Sequence, residues 1–295
     1  MASRGTGGSS VVFMPSPILV SLLDPRPASQ AEQEPIEDSV NIPLDELEGR
    51  MHELPPRHGK LQVAGPEPWA AKACEFLRKS GRNADMSTDW DYEMVSSRSS
   101  ENLQLSGPQS EVQNPKSKIE RGRLWKPNPY LEEIVASLPP GRALDLACGS
   151  GRDAVFLAGI GWEVTAIDHL PDALERGRDL VARYLNPSDA ARIEWVVRDL
   201  EEGPTALDNG YDLVSVFWYL NRDMIRGAHQ LLRRGGSLVV ETFTTVHRER
   251  FGKPRTEAFV LQPAELRDLV QPLKIRFYEE AWHEDRHSAR VWATN

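Results

Sequence analysis

Cysteine is nearly absent: Cys74 and Cys148 are the two in 295 residues. Far apart in the chain, they offer neither a disulfide framework nor a cysteine-rich zinc site, so stability has to come from packing. Long apolar runs are missing too. None reaches the roughly 18 to 20 residues that span a bilayer, and the longest, residues 11–23, is interrupted by Pro15 and Pro17 and suits an entering strand. Residues 1–10 are Ser- and Gly-rich with one Arg, thin for a transit peptide. These absences predict a soluble, cytoplasmic protein with no membrane partner. Positive charge is also short. The net charge is −9; twelve basic residues stand against eighteen acidic ones in residues 1–120, and twenty-three against twenty-six in residues 121–295. Neither part has the basic excess that phosphate-backbone binding relies on, which disfavours nucleic acid, although a local patch is compatible with an acidic total.

What is present suffices for real cores: the apolar fraction is 40%, and 295 residues exceed one typical domain. Three composition regimes divide the chain. Residues 11–90 alternate strand-like apolar runs with Pro-rich turns and include a helix over 69–80 closed by Gly81. Residues 96–118 are rich in Ser, Gln and Asn and read as a flexible linker that cannot bury enough surface to order itself. From residue 121 to 295, strand and helix signals alternate. Strands are predicted at 142–147, 163–168, 193–197, 211–218 and 237–243, and helices at 152–158, 171–184, 222–233 and 263–270. Two last strands, 274–279 and 289–293, are joined by a polar turn. This pattern predicts an α/β fold with a parallel sheet, helices on both faces and an antiparallel edge.

The chemistry concentrates in residues 144–153, L-D-L-A-C-G-S-G-R-D. Ala143, Leu144 and Leu146 around the lone Asp145 read as a buried strand end. Gly149 and Gly151 let the backbone turn tightly and approach a ligand without Cβ interference. The run A-V-F-L-A that follows starts a helix whose free N–H groups face that ligand. Ligands of open parallel sheets sit beyond the carboxyl ends of the strands, so the residues ending the next strands matter as well. Asp168 is placed to accept both hydroxyls of a ribose. Asp199, followed by Leu200, offers an acid and an N–H to an adenine edge. Arg152 is a candidate to pair with a carboxylate of the cofactor. Taken singly these signals are weak, since G-S-G-R-D-A also fits the dinucleotide fingerprint and strand-end acids are often only caps. The order acid, glycine loop, acid, acid on consecutive strands is what carries the reading.

At this point residues 121–295 resemble a class I S-adenosylmethionine-dependent methyltransferase. The segments L-D-L-A-C-G-S-G-R-D-A-V-F-L-A, W-E-V-T-A-I-D, Y-D-L-V-S-V-F and L-L-R-R-G-G-S-L-V-V-E-T-F are similar to that family's successive motifs, and C-G-S-G-R-D resembles its tellurite-resistance branch. The resemblance implies a seven-stranded Rossmann-like sheet with an antiparallel last strand. It also implies that Asp145, Gly149 and Gly151 surround the methionine part of S-adenosylmethionine, Asp168 the ribose, and Asp199 with Leu200 the adenine; Ala147, Arg152 and His169 are counted with them as cofactor-binding candidates. Phe217 and Trp218 would lie near the sulfonium and the acceptor. A nicotinamide dehydrogenase explains the glycines but gives no role to the acid before them.

Methyl transfer from a sulfonium is an in-line displacement in which the protein supplies alignment and a dry pocket, with no metal required. Aromatic faces stabilise the cation; Trp218 and Tyr219 are the candidates, with Trp125 and Tyr130 favoured as packing residues. A small acceptor, a thiol, selenol or metalloid oxyanion, needs little base; for a less acidic one Glu241 or His247 is available. Cys148 alone does not supply the several thiolates that arsenite would ask for. Asn221 and Arg222 are candidates to orient an anionic acceptor or to cap a helix, and the basic segment 244–255 is a candidate mobile cover. Methylation of tRNA or protein, and a non-catalytic scaffold, are the competing readings.

Residues 18–86 resemble a rhodanese-like domain through I-L-V-S-L-L-D-P-R-P, S-V-N-I-P-L-D-E-L-E-G-R-M-H-E-L-P and A-A-K-A-C-E-F-L-R-K-S-G. That family carries its persulfide on a cysteine at a strand end. Here Ala64 stands there, in L-Q-V-A-G-P-E-P-W, while Pro66 and Pro68 remove donors from the cradle and Glu67 adds the wrong charge. Cys74 falls on the following helix, where it reads as a buried small side chain. The expectation is a catalytically dead unit that binds a protein partner, regulates or stabilises its neighbour.

Overall fold

The computed structural model describes residues 21–57, 59–87 and 122–295. The expected linker, 96–118, and residues 11–20 lie outside them. The described residues form two sheets. The first has β1 (Ser21–Asp24), β2 (Ser39–Asn41), β3 (Lys60–Val63) and β4 (Asn83–Met86) in the order β2-β1-β3-β4, all parallel. A short helix α1 (Ala28–Gln33) follows β1. Helix α2 (Trp69–Lys79) follows β3 and buries Ala70, Ala73, Cys74 and Leu77, one stripe at helical spacing, against Leu23, Leu61 and Val63. It ends at Ser80, and Gly81 takes the left-handed conformation that stops it.

The second sheet is the larger. Helix α3 (Pro129–Val135) precedes β5 (Arg142–Leu146), α4 (Arg152–Gly159), β6 (Glu163–Asp168), α5 (Pro171–Tyr184), a short α6 (Pro187–Ala190) and β7 (Ile193–Val197). Then come β8 (Tyr211–Phe217), α7 (Arg222–Gly227), β9 (Leu232–Phe243), α8 (Thr245–Phe251), α9 (Glu265–Leu269), β10 (Lys274–His283) and β11 (Arg286–Thr294). The order is β10-β11-β9-β8-β5-β6-β7. The strands from β5 to β9 pair parallel, and β11 runs antiparallel to both its neighbours. The expected seven strands with an antiparallel last strand are therefore all present.

Alternation along the strands explains why both faces are covered. Leu144, Leu146, Val214, Val216, Leu238 and Val240 point to one side and pack with α7 and α9; Ala143, Leu213 and Val239 point to the other and pack with α4. Asp145, Ser215 and Glu241 share that second face, so three polar side chains interrupt an apolar layer at the carboxyl end of the sheet.

Three local expectations needed correction. The helix expected over 222–233 stops at Gly227, where a Cβ would come within 2.1 Å of the Pro204 ring; a turn of 3-10 helix, Ala228–Gln230, leads straight into β9. Gly235 and Gly236 are inside β9, where pairing jumps from Tyr211 with Leu232 to Leu213 with Ser237. The expected cover, 244–255, is largely helix α8, closed by Gly252 at φ 64°. No helix among the described residues is long and apolar enough to cross a membrane.

Candidate functional site

A cavity of ≈ 790 Å³ opens at the carboxyl ends of β5, β6 and β8, where the chain leaves β5 for one side and β8 for the other. Of the residues singled out from the sequence, Asp145, Ala147, Gly149, Arg152, Asp168, His169, Asp199, Leu200, Phe217, Trp218 and Tyr219 line it. The turn after β5 has to be left-handed at successive points: Ala147 at φ 56°, Gly149 at 55° and Gly151 at 68°. A Cβ on Gly149 would meet nothing within 4 Å, so this part of the loop borders open space.

Two acids organise the loop. Asp168 accepts from the backbone N–H of Gly149 at 2.9 Å with one oxygen and from that of Leu170 at 2.9 Å with the other. It thus ties the end of β6 to the glycine turn. Asp145 is 2% exposed, and the Ser215 hydroxyl donates to its Oδ1 at 3.1 Å. Among the described residues no hydrogen bond of ordinary length reaches its Oδ2, although the Ala154 N–H at the start of α4 favours the charged carboxyl. Burial, together with the charges of Asp153 and Asp168, holds the Asp145 carboxyl well above the usual carboxylate range. A buried carboxylate oxygen short of hydrogen bonds at a cavity wall is costly unless something arrives to use it. Burial likewise raises the Cys148 thiol, which keeps it protonated and inert beside the same acids.

On the opposite wall, Asp199 caps a short 3-10 turn by accepting from the Glu201 N–H at 3.0 Å, and Leu200 beside it is buried. Trp218 leaves β8 at φ 60°, and the Arg286 guanidinium lies 4.8 Å from its ring centroid. The Tyr219 hydroxyl donates to Glu201 at 3.1 Å, and burial pushes its pKa up to about 12.

Several expected roles do not survive. Gly151 does not line the cavity; it is buried under Trp195, whose ring would stand 2.3 Å from a Cβ there, so that glycine is demanded by packing and by φ. Arg152 reaches the cavity rim, but its guanidinium points elsewhere, donating to the carbonyls of His52, at 2.6 and 3.1 Å, and Leu54, at 2.8 Å. Glu241 is 1% exposed and outside the cavity. It accepts from Asn128 Nδ2 at 2.9 Å, Ser288 Oγ at 2.8 Å and Arg290 Nε at 2.8 Å, so it is a buried anchor and not a base facing an acceptor. Asn221 caps α7 by accepting from the Met224 N–H, and Arg222 pairs with Glu265. His247 stacks on Phe243 away from the cavity, whereas Trp125 and Tyr130 are core, the packing role favoured for them.

Sequence reasoning missed the segment 126–129, Arg286 and Pro56, all of which line the cavity. Asn128 followed by Pro129 is a helix-start signature, and Asn128 does accept from the Tyr130 N–H at 2.8 Å. That signal finds a helix start, not a cavity wall. Nothing local marks Arg286 or Pro56.

Residues 143–236 match the sequence family described as a methyltransferase domain. An uncharacterized protein of Schizosaccharomyces pombe is 29% identical over 177 residues, covering 55% of this chain and 50% of that protein. The chain thus spans about half the length of that curated relative. Among solved structures, TehB from Haemophilus influenzae is similar at 19% identity and a TM-score of 0.46, covering 56% of this chain and 61% of the other. Magnesium protoporphyrin IX methyltransferase from Synechocystis, solved with bound SAH, is similar at 19% identity and a TM-score of 0.45, covering 56% and 81%.

Proposed function

We propose that the methyltransferase domain of this chain, whose cofactor is S-adenosylmethionine, transfers a methyl group in line to a small acceptor such as a thiol, a selenol or a metalloid oxyanion. The observation that carries this is Asp145: its Oδ2, buried at the cavity wall with no hydrogen bond of ordinary length among the described residues, fits the ammonium of an amino-acid moiety. A nicotinamide dinucleotide offers no ammonium to that oxygen. Gly149 and Ala147 would cradle the same moiety, Asp168 and His169 the ribose, and Asp199 with Leu200 the adenine. Asp168 already spends one lone pair of each oxygen on the loop and keeps the others for hydroxyls.

When bound, S-adenosylmethionine supplies a methyl group activated on a sulfonium. Phe217 and Trp218, both in the cavity lining, would form the apolar wall that excludes water from the transfer. Arg286 and Tyr219 line the cavity with Trp218 and would face the acceptor there, where a guanidinium favours one that arrives as an anion. The acceptor therefore needs no base from the protein, in keeping with the anchoring role of Glu241.

The N-terminal sheet is read as a rhodanese-like unit without its nucleophile, spanning 11–90 and joined through 96–118 to a domain over 121–295, in a cytoplasmic protein. Ala64 directly follows β3 as a buried apolar residue, and Cys74 lies in the core with its thiol raised by burial. Calorimetry with S-adenosylhomocysteine and NAD tests the cofactor: binding of the first and not the second is expected, and the reverse overturns the reading. For the acceptor, methyl label from S-adenosylmethionine incubated with a cell extract should enter the small-molecule fraction. Label confined to RNA or protein would overturn that choice.

A further inference from the structure

The seam between the two sheets runs through the cofactor loop. Residues 51–56 of the N-terminal unit carry four carbonyls held by two arginines, one from each unit. Arg82, from the N-terminal unit, donates to Pro55 O at 2.5 Å and Met51 O at 3.2 Å. Arg152, the first residue of α4 and the one next to Gly151, donates to His52 O and Leu54 O. Between these bonds Glu53, fully buried, accepts from Arg50 Nε at 2.5 Å and from the Tyr184 hydroxyl of α5 at 2.5 Å, with Arg183 Nε 3.2 Å away. Leu124 packs into the N-terminal core, and Pro56 reaches the cavity wall itself.

These contacts are specific in kind. Among the described residues the hydrogen-bond partners of the Arg152 guanidinium are neutral carbonyls, and burial lowers its pKa to about 10. Removing the N-terminal turn would strand that charge at the start of the helix that follows the glycine loop. We infer that the N-terminal unit is a working wall of the cofactor site: its turn 51–56 positions the glycine loop through Arg152, so that cofactor affinity depends on the seam. Arg152 is then a positioning residue that never touches the cofactor, and the unit's retained purpose is this clamp. The inference rests on the proposed S-adenosylmethionine site.

The test uses the full chain and S-adenosylhomocysteine as probe, measured by calorimetry well below each variant's melting temperature. Arg152→Met cuts the bond directly, Arg152→Lys keeps the charge but not the fork, and Tyr184→Phe loosens Glu53 from outside the cavity. Asp212→Ala, at the opposite end of the sheet where Asp212 accepts from the Arg142 N–H at 2.8 Å, serves as the stability control. Affinity should fall on the order of tenfold for Arg152→Met, less for Arg152→Lys and Tyr184→Phe, and not for Asp212→Ala. Affinities within twofold of the wild type in all three seam variants, whatever their melting temperatures, would overturn the clamp and leave the cofactor site standing. A wild-type protein that ignores S-adenosylhomocysteine would remove the site and the clamp together.

Discussion

The chain uses one local architecture twice, with opposite results. In each sheet a strand ends at a turn that leads into a helix: β3, residues 64–68 and α2 in the first, β5, residues 147–151 and α4 in the second. The second turn, A-C-G-S-G, has an N–H at every position and opens on a large cavity beside a buried acid, Asp145. The first, A-G-P-E-P, loses two N–H groups to proline and is backed by Arg26, whose side chain comes within 3.5 Å of where a Cβ on Gly65 would sit. Arg26 is in turn committed to Asp24 by a buried two-bond pair, at 3.0 and 2.8 Å. Topology therefore provides a place for a ligand, and the side chains at the turn decide whether it is a site or a plug.

The sharpest way to break this comparison is at Asp145. Asp145→Asn should weaken S-adenosylhomocysteine binding by roughly 100-fold or more, because the partner of a buried ammonium is lost, while the melting temperature holds or rises as a strained buried carboxyl disappears. Calorimetry and thermal unfolding on the same sample check both halves. Next comes proton linkage at the same residue. Its carboxyl is raised in the free protein and would be drawn down by an ammonium, so binding releases a proton and affinity climbs with pH up to that raised value, by at most about tenfold per pH unit. Calorimetry in buffers of different ionisation enthalpy reads the proton directly; no release would mean that Asp145 does not meet a cation.

The two glycines of the working loop should separate. Gly151→Ala has to displace the Trp195 ring and hold a left-handed φ, and should cost about 2 kcal/mol or more of stability. Gly149→Ala has room for its methyl on the cavity side and should cost about 1 kcal/mol in stability, with its main effect on ligand affinity. Denaturant unfolding and calorimetry on the pair settle which glycine serves the ligand. Glu241→Gln should lower stability by loosening Arg290, Ser288 and Asn128 yet leave the S-adenosylhomocysteine affinity within about twofold; a pH-rate profile that loses its acidic limb in this variant would return Glu241 to the chemistry. The smallest effect is expected in the first turn. Ala64→Cys should yield no thiosulfate sulfurtransferase turnover, because Pro66 and Pro68 still leave the cradle short of donors.

Much of the second sheet was legible because its signals are local. Helix α5 over 171–184 and strand β7 over 193–197 were bounded by proline and by apolar runs, and both stand where the sequence placed them. The placement of the acids at the ends of β5 and β6 followed from the same strand boundaries. What failed depended on remote partners. The end of α7 is set by Pro204, which lies on a different connection, and the helical character of 245–251 was hidden behind a composition of basic residues that suits an exposed helix and a loop equally.

The chain's own order of residues determined that a glycine turn, with acids after successive strands, would sit at the crest of a parallel sheet, because φ preferences and strand periodicity act over a few residues. The tertiary structure decided what Arg152 and Glu241 do. Arg152 meets carbonyls 98 and 100 positions away, and Glu241 meets an amide 113 positions away. A guanidinium or a carboxylate takes whichever partner the fold carries to it, and a charge read from sequence states what can be bound without stating who will be there.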